Sequence, residues 1–475
     1  MTKSAPILGL ADAFADAAIP ASFQTAVLRF RNTRWARRVG LADLDEAAWT
    51  SHFAHFKPLP DNLEHPLALR YHGHQFGVYN PELGDGRGFL FAQLRDDQGR
   101  LLDLGTKGSG QTRWSRSGDG RLTLKGGVRE VLAANYLEAL GVKTSKPFSL
   151  IETGEQLQRG DEPSPTRSSV LVRLSHSHIR FGTFQRAAYL NETENLARLI
   201  RHCAEQYYPE TVDEDLAVMA PALLQRITAE TARMVAQWMA AGFVHGVMNT
   251  DNFNITGESF DYGPWRFLPW SDPNFTAAYF DSQGLYRFGR QPTQGLWALQ
   301  QLGSAMTLVC DAEPLSEALQ TYEPAYQLAL AAHNLKLFGL KSSGDLKQDL
   351  TFLQSLYNWM SETKAPWPQV FFDWFGGAES QARARKSPIA SLYDDPAFAP
   401  VRDVLTSLQV DRPERLAHAH WQRETPVTLL YDDVEALWAP IAEADDWSLF
   451  QQTLADIDAA REALSIEFEP RPSEA

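Results

Sequence analysis

Apolar positions along this chain change their period near residue 190. Between about 66 and 190 they come in short runs broken by glycine, and beyond 190 they recur at spacings of three and four. The first pattern predicts strands and the second amphipathic helices. In the strand-like part, the glycine-rich entry Leu83-Gly84-Asp85-Gly86-Arg87-Gly88 precedes the run Phe89 to Leu94. A turn at Asp96 to Gly99 and a second run from Leu101 to Thr106 follow, giving strand, turn, strand. Val170 to Leu174 reads as a buried strand, and the polar stretch 154–169, with Pro163 and Pro165, as a loop. Between them a helix is predicted to open near Gly127. It carries Val128, Val131, Leu132, Tyr136 and Leu140 at helical spacing, with Glu130 in its first turn and Gly141 at its end.

Beyond 190, a helix over 192–207 stops at Pro209. The apolar stripe Leu224, Ile227, Thr231, Met234, Val235, Trp238 and Met239 marks a long helix ending at Gly242. Further helices are predicted over 292–310, 313–336, 346–363, 398–409 and 444–466. Residues 1–60 read as helical patches bearing Arg29, Arg31, Arg34, Arg37 and Arg38, a solvated face packed on the main body. The expected fold is α+β, with an N-terminal helical extension (1–65), a β-rich part (66–190), a helical part (191–475) and a site between the last two.

Composition narrows the function classes. With 475 residues, 44% hydrophobic and 11% aromatic, the chain can bury one large or two ordinary cores. A net charge of -15 argues against nucleic acid or an anionic membrane as partner, because both need a basic face. No run approaches the roughly 20 apolar residues of a membrane helix, and Asp12 and Asp16 interrupt any leader-like segment. Cys203 and Cys310, far apart in sequence, exclude a cysteine-based zinc site and predict reduced thiols in a cytoplasmic protein.

The chemistry concentrates at His245-Gly-Val-Met-Asn-Thr-Asp251-Asn252 and Asp261-Tyr262-Gly263. A protein kinase carries H-R-D-x-x-x-x-N followed by D-F-G, in which the Asn and the second Asp hold magnesium. His245 and Asn252 have that separation, and Asp261 stands where D-F-G begins. The kinase base is missing, since its place is taken by Val247. Lys107 at the end of a strand and Glu130 on the next helix repeat the kinase order of lysine and partner glutamate. Arg173 and Arg180, seven apart, can converge only if the strand ends between them, and a triphosphate would suit both. His176 and His178 read as hydrogen-bonded structural residues.

These runs, together with Gly73-His-Gln-Phe-Gly77, Ser117-Gly-Asp-Gly-Arg121, Arg129-Glu130 and Ser177-His-Ile-Arg-Phe-Gly-Thr-Phe184, resemble the selenoprotein O (SelO, or YdiU) family. The resemblance implies a kinase-like two-lobed fold that binds ATP in a flipped orientation and transfers AMP to Ser, Thr or Tyr hydroxyls of proteins. By the same resemblance, Gly84, Gly86, Arg87, Asp119 and Gly120 contact the nucleotide, and Lys107, oriented by Glu130, holds phosphates with Arg173 and Arg180. Asn252 and Asp261 would hold Mg2+, with Mn2+ the alternative, Asp261 would also meet the nucleotide, and Asp251 would accept the proton. Uridylyl transfer from UTP, phosphorylation with Asp251 as base, and a nucleotide-binding scaffold are the competing readings. Some family members end in a cysteine or selenocysteine pair; with no cysteine after Cys310, this sequence gives no support for redox control of that kind.

Overall fold

The computed structural model describes residues 5–466. Its centre is an antiparallel sheet in the order β1-β3-β6-β7-β10-β9-β2, with β8 paired to β10. The strands are β1 (Ala15–Ala17), β2 (Val27–Arg31), β3 (Leu67–Leu69), β6 (Leu90–Arg95), β7 (Leu101–Lys107), β8 (Leu122–Thr123), β9 (Lys146–Leu157) and β10 (Thr166–Ser175). Two smaller pairs, β4 (Gly73–Gln75) with β5 (Val78–Asn80) and β11 (Phe243–Val244) with β12 (Arg266–Phe267), lie outside it.

Alternation along β10 decides what the sheet covers. Val170, Val172 and Leu174 join Trp49, Phe53, Phe89, Phe91 and Phe148 in a cluster on one face, where Trp49 stacks on Phe148 with ring centroids 5.0 Å apart. Leu171 points the other way, into the main core with Val131 and Leu132 of helix Leu124–Ala139 and Trp238 of helix Leu216–Ala240. Arg173 shares that second face with Leu171 by the same alternation, so a cation is carried to the helix side of the sheet. A third cluster, around Phe338, Trp359 and Phe398, holds the later helices together.

Several elements differ from their sequence expectation for identifiable reasons. The glutamate-bearing helix opens at Leu124, three residues early, because the Thr123 hydroxyl accepts from Gly126 N at 3.1 Å; Glu130 therefore stands in the second turn. Of the stretch 154–169, only 158–165 is loop; 154–157 and 166–169 belong to β9 and β10, where polar side chains pair across strands, with Arg167 Nε 2.6 Å from Glu152 Oε1 and Thr153 bonded to Ser168. The helix expected over 313–336 is two, Ala312–Gln320 and Tyr322–Leu337, since Pro324 has no N–H to give the Gln320 carbonyl. Within 1–60, β1 and β2 extend the sheet at its two edges, and Trp35, Trp49 and Phe53 are buried against it. The helix Tyr431–Ala444 carried no signal strong enough to predict it.

Candidate active site

Five elements deliver the charged residues to one place. Lys107 ends β7, and Glu130 reaches it from helix Leu124–Ala139, which lies so close to β9 that a Cβ on Gly127 would stand 2.5 Å from Leu150 Cδ1. Lys107 Nζ bonds Glu130 Oε1 and, at 2.6 Å, Asp261 Oδ1. Arg173 Nη1 donates to the same Asp261 oxygen at 3.1 Å and lies 3.7 Å from Glu130 Oε2. β10 ends at Ser175, and Arg180 is the cap residue of helix Phe181–Tyr189, so the strand does stop between the two arginines. Arg180 Nη1 donates to the Asp251 carbonyl at 2.9 Å and Nη2 to Asp85 Oδ1 at 3.2 Å.

His245 is fully buried, and burial lowers its pKa, leaving a neutral ring whose Nε2 donates to the Phe260 carbonyl at 2.9 Å. That bond fixes the residue before Asp261, whose φ of 64° is left-handed and turns its carboxylate back toward Lys107. Burial by itself would raise the pKa of Asp261, yet Lys107, Arg173, Arg87 and Arg180 hold it well below the usual carboxylate range.

Asp251 is the opposite case. It sits in the short turn Thr250–Asn252, 8% exposed, with Oδ1 buried and without a hydrogen-bond partner. Burial pushes its pKa up to about 6, against the pull of Arg180. Gly73 packs closely against it, since a Cβ there would stand 3.2 Å from Asp251 Oδ1. Asn252 spends its Nδ2 on the Val247 carbonyl at 3.0 Å, which orients the amide and frees its oxygen.

The donors on offer to a metal are oxygens: Asn252 Oδ1, the second oxygen of Asp261 and the orphaned Asp251 Oδ1. Such a set suits a hard divalent cation such as Mg2+. Among the described residues no cluster of three or more His, Cys, Asp or Glu is arranged as a metal cage. A cation here would need oxygens from a nucleotide and water to complete its shell, the usual habit of Mg2+.

The remaining predicted residues lie at different distances from this group. Gly84 and Gly86 pack beneath Trp114: a Cβ on Gly84 would meet Trp114 Cγ at 2.4 Å, and one on Gly86 the Trp114 carbonyl at 2.8 Å. Arg87 is exposed, but its charge reaches Asp261. Asp119 and Gly120 lie in the loop before β8, where Asp119 pairs with Arg159 at 2.8 Å; no hydrogen bond or ion pair among the described residues joins Asp119 to the Lys107 group. His176 bonds Glu258 and His178 N bonds Asp103, the structural roles expected of that pair. Two contributors escaped sequence reasoning. Asp85, between the two glycines, receives Arg180; Tyr71 lies under it, with the guanidinium 4.4 Å from the ring centroid. The carboxylate was visible in the sequence, but its partner was set by the fold.

A family model described as protein adenylyltransferase SelO matches residues 3–458. The chain is 43% identical over 480 residues to protein nucleotidyltransferase YdiU of Synechocystis sp., covering 97% of this chain and 98% of that protein. It is 40% identical over 467 residues to the YdiU of Trichodesmium erythraeum, covering 95% and 97%. With the YdiU of Vibrio cholerae it shares 39% identity over 321 residues. The chain is thus a protein nucleotidyltransferase, and it belongs to the SelO family of protein adenylyltransferases.

Proposed function

We propose that this chain transfers AMP from ATP to Ser, Thr or Tyr hydroxyls of other proteins on a kinase-like two-lobed framework. The β-rich part 66–190 and the helical part 191–475 enclose the nucleotide, with 1–65 as an extension. One observation carries the reading: a partnerless buried carboxylate, Asp251, stands beside a cluster of cations, Lys107, Arg173 and Arg180, gathered around Asp261 and Asp85. That combination suits a reaction that removes a proton at one end and releases a polyanion at the other.

In this assignment the acceptor hydroxyl oxygen forms a bond to the α-phosphorus and its proton passes to Asp251. The bond from the α-phosphorus to the bridging oxygen breaks, and pyrophosphate leaves with that electron pair. Lys107, Arg173 and Arg180 bind the β and γ phosphates, whose charge grows as the bond breaks. Glu130 orients Lys107, while Gly84, Gly86, Arg87, Asp119, Gly120 and Asp261 meet the nucleotide. Asn252 and Asp261 would hold Mg2+, or Mn2+, which when bound neutralises charge on phosphate oxygens. Val247 offers no base at the position kinases use, whereas Asp251, four residues on, offers one already raised to about 6. The free cysteines Cys203 and Cys310 support a reducing compartment, and we place the protein in the cytoplasm.

Purified protein, Mg2+ and ATP labelled at either the α or the γ phosphate provide the test, with acceptor proteins present and Asp261→Ala alongside. Label entering protein from the α position alone, and lost in the variant, is expected. Label from γ alone would make the chain a kinase and overturn the assignment. The site residues address phosphate and metal, so an arm with α-labelled UTP and Mn2+ fixes the base preference.

A further inference from the structure

The hairpin formed by β4 and β5 is bonded to the loop that bears Asp251 and ends in an unusual turn. Gln75 pairs with Val78, so Phe76-Gly77 is a two-residue turn, with φ of 50° and 80°. Such turns favour glycine, asparagine or aspartate, because both central residues need positive φ. A phenylalanine at the first position is held there by its surroundings. Phe76 N lies 3.1 Å from Asn249 Oδ1 and 3.2 Å from the Tyr286 hydroxyl, which itself donates to Asn249 Oδ1 at 2.8 Å. His74 N donates to the Thr250 hydroxyl at 2.7 Å. The strained tip is therefore anchored directly to the two residues before Asp251.

A second segment meets this tip. Its backbone is fixed by Asp281, a buried carboxylate that accepts from Leu285 N and Tyr286 N, each at 2.8 Å. The residues just before it project outward: Tyr279 is 85% exposed and Phe280 50%. The Phe280 ring stands edge-on to Phe76 with centroids 5.8 Å apart, and Tyr279 packs on Phe280 at 5.1 Å. Val78, 70% exposed, continues the patch. Two elements far apart in sequence thus present aromatic surface to solvent around one catalytic-loop residue, on ordered rather than loose backbone. Apolar surface kept exposed at such a place marks an interaction site.

We propose that Phe76, Val78, Tyr279 and Phe280 form the docking surface for the acceptor protein, and that they take an apolar side chain lying within a few residues of the acceptor hydroxyl. The inference rests on the transfer reading above, because it places the acceptor beside Asp251. Its occupant is an extended polypeptide segment: an acceptor hydroxyl must reach Asp251, and the patch is continuous with the loop that holds it.

The test uses the full chain, Mg2+, α-labelled ATP and matched peptides that carry one serine flanked either by phenylalanine and leucine or by asparagine and glutamine. Tyr279→Ser with Phe280→Ser is the variant; both side chains are exposed and neither belongs to the catalytic group. The apolar peptides should show a KM about tenfold lower than the polar ones, the effect of burying one such side chain, and the double variant should erase that preference while leaving kcat and ATP binding unchanged. Equal KM for both peptide sets, or a preference that survives in the variant, overturns the proposal. If ATP binds and no peptide or protein is labelled, the transfer reading fails; peptide binding measured by fluorescence anisotropy then decides the surface. Binding of the apolar set that is lost in the variant upholds it, and absence of binding overturns it.

Discussion

Helix Leu124–Ala139 contributes to two buried charge clusters, through Glu130 near its start and Glu138 in its last turn, and their carboxylates are satisfied differently. The rear cluster surrounds Glu138, Lys146 and Glu258 at a cavity of about 390 Å3. Its carboxylates are saturated. Glu138 receives Arg34 and Trp35 Nε1 and lies 3.7 Å from Arg461; Glu258 accepts from His176 N and Nδ1, each at 2.6 Å, with Lys146 4.0 Å away. The front cluster, around Lys107 and Asp261, leaves atoms without a hydrogen bond: Asp251 Oδ1, the Nε atoms of Arg173 and Arg180, and Glu130 Oε2, which has only the ion pair with Arg173 at 3.7 Å. Burial raises both Glu138 and Asp251, but Lys146, Arg34 and Arg461 bring Glu138 down to about 2, while Asp251 stays at about 6. Burial of charge therefore does not mark a site. What sets the front cluster apart is a buried carboxylate oxygen, Asp251 Oδ1, that accepts no hydrogen bond and can be satisfied by a ligand or a reacting proton.

The largest effect is expected where a rear carboxylate is removed. Glu138→Ala leaves Arg34, Lys146 and Arg461 facing one another in a buried setting, and the loss should be about 3–5 kcal/mol of stability, read from urea unfolding. Transfer per folded molecule should stay within about twofold of the parent, since no catalytic role is assigned there; a larger fall in kcat would merge the two clusters into one functional unit. Asp261→Ala should lower transfer per folded molecule by about 10² to 10³, and it should also cost stability, because Lys107 and Arg173 lose the carboxylate that both bind. Wild-type activity in that variant would remove Asp261 from the metal and phosphate assignment.

Asp251→Asn sharpens the contrast further. Its folded pKa, about 6, lies above the ordinary 3.8, so the folded chain binds the proton more tightly than the unfolded one. Its contribution to stability is present below pH 3.8 and is lost as pH rises through 6, leaving a charged, buried carboxylate at neutral pH. Replacing it with a neutral amide should stabilise the protein at pH 7 by up to roughly 3 kcal/mol while abolishing transfer. A destabilised Asp251→Asn would show that the carboxylate is structural.

The same division explains what could be read from the sequence. That Lys107, Glu130 and Asp261 meet was legible because their order and spacing follow the kinase pattern, and the structure brings the three into contact. The conditional placed on Arg173 and Arg180, that a strand must end between them, held because alternation along β10 is a local rule. Asp85 and Tyr71 were not legible, since the contact of Arg180 with each depends on how β10 and the 83–88 segment are brought together. The rear cluster was equally hidden: Arg34 meets Glu138 across a hundred residues, and in sequence it is one of several arginines on an apparently solvated face. Patterns with period 2 or 3.6 were recovered, whereas the hairpin polar ladder of 154–169 and the break at Thr321 required knowing which backbone groups had partners.

The smallest expected effect is the most specific. If Asp251 takes the acceptor proton, kcat/KM, which reports the free enzyme, should follow its ionised fraction. With a pKa near 6, that fraction falls about tenfold between pH 7 and pH 5. Glu138, held at about 2, loses its stabilising contribution only as pH falls from 4.5 toward 2, but burial holds His72, His202 and His420 down to about 4, so the fold loses stability as pH drops below 6.5 and folding is followed alongside the rate. Asp251 thus titrates near 6, apart from Glu138 at about 2 and from Asp261, held well below the usual carboxylate range. An acid limb in kcat/KM at pH 6 with an unchanged circular dichroism spectrum across it would assign the proton to the front cluster. A rate flat from pH 7 to pH 5, with the protein folded throughout, would mean that Asp251 is not the acceptor and that its orphaned oxygen serves the metal instead.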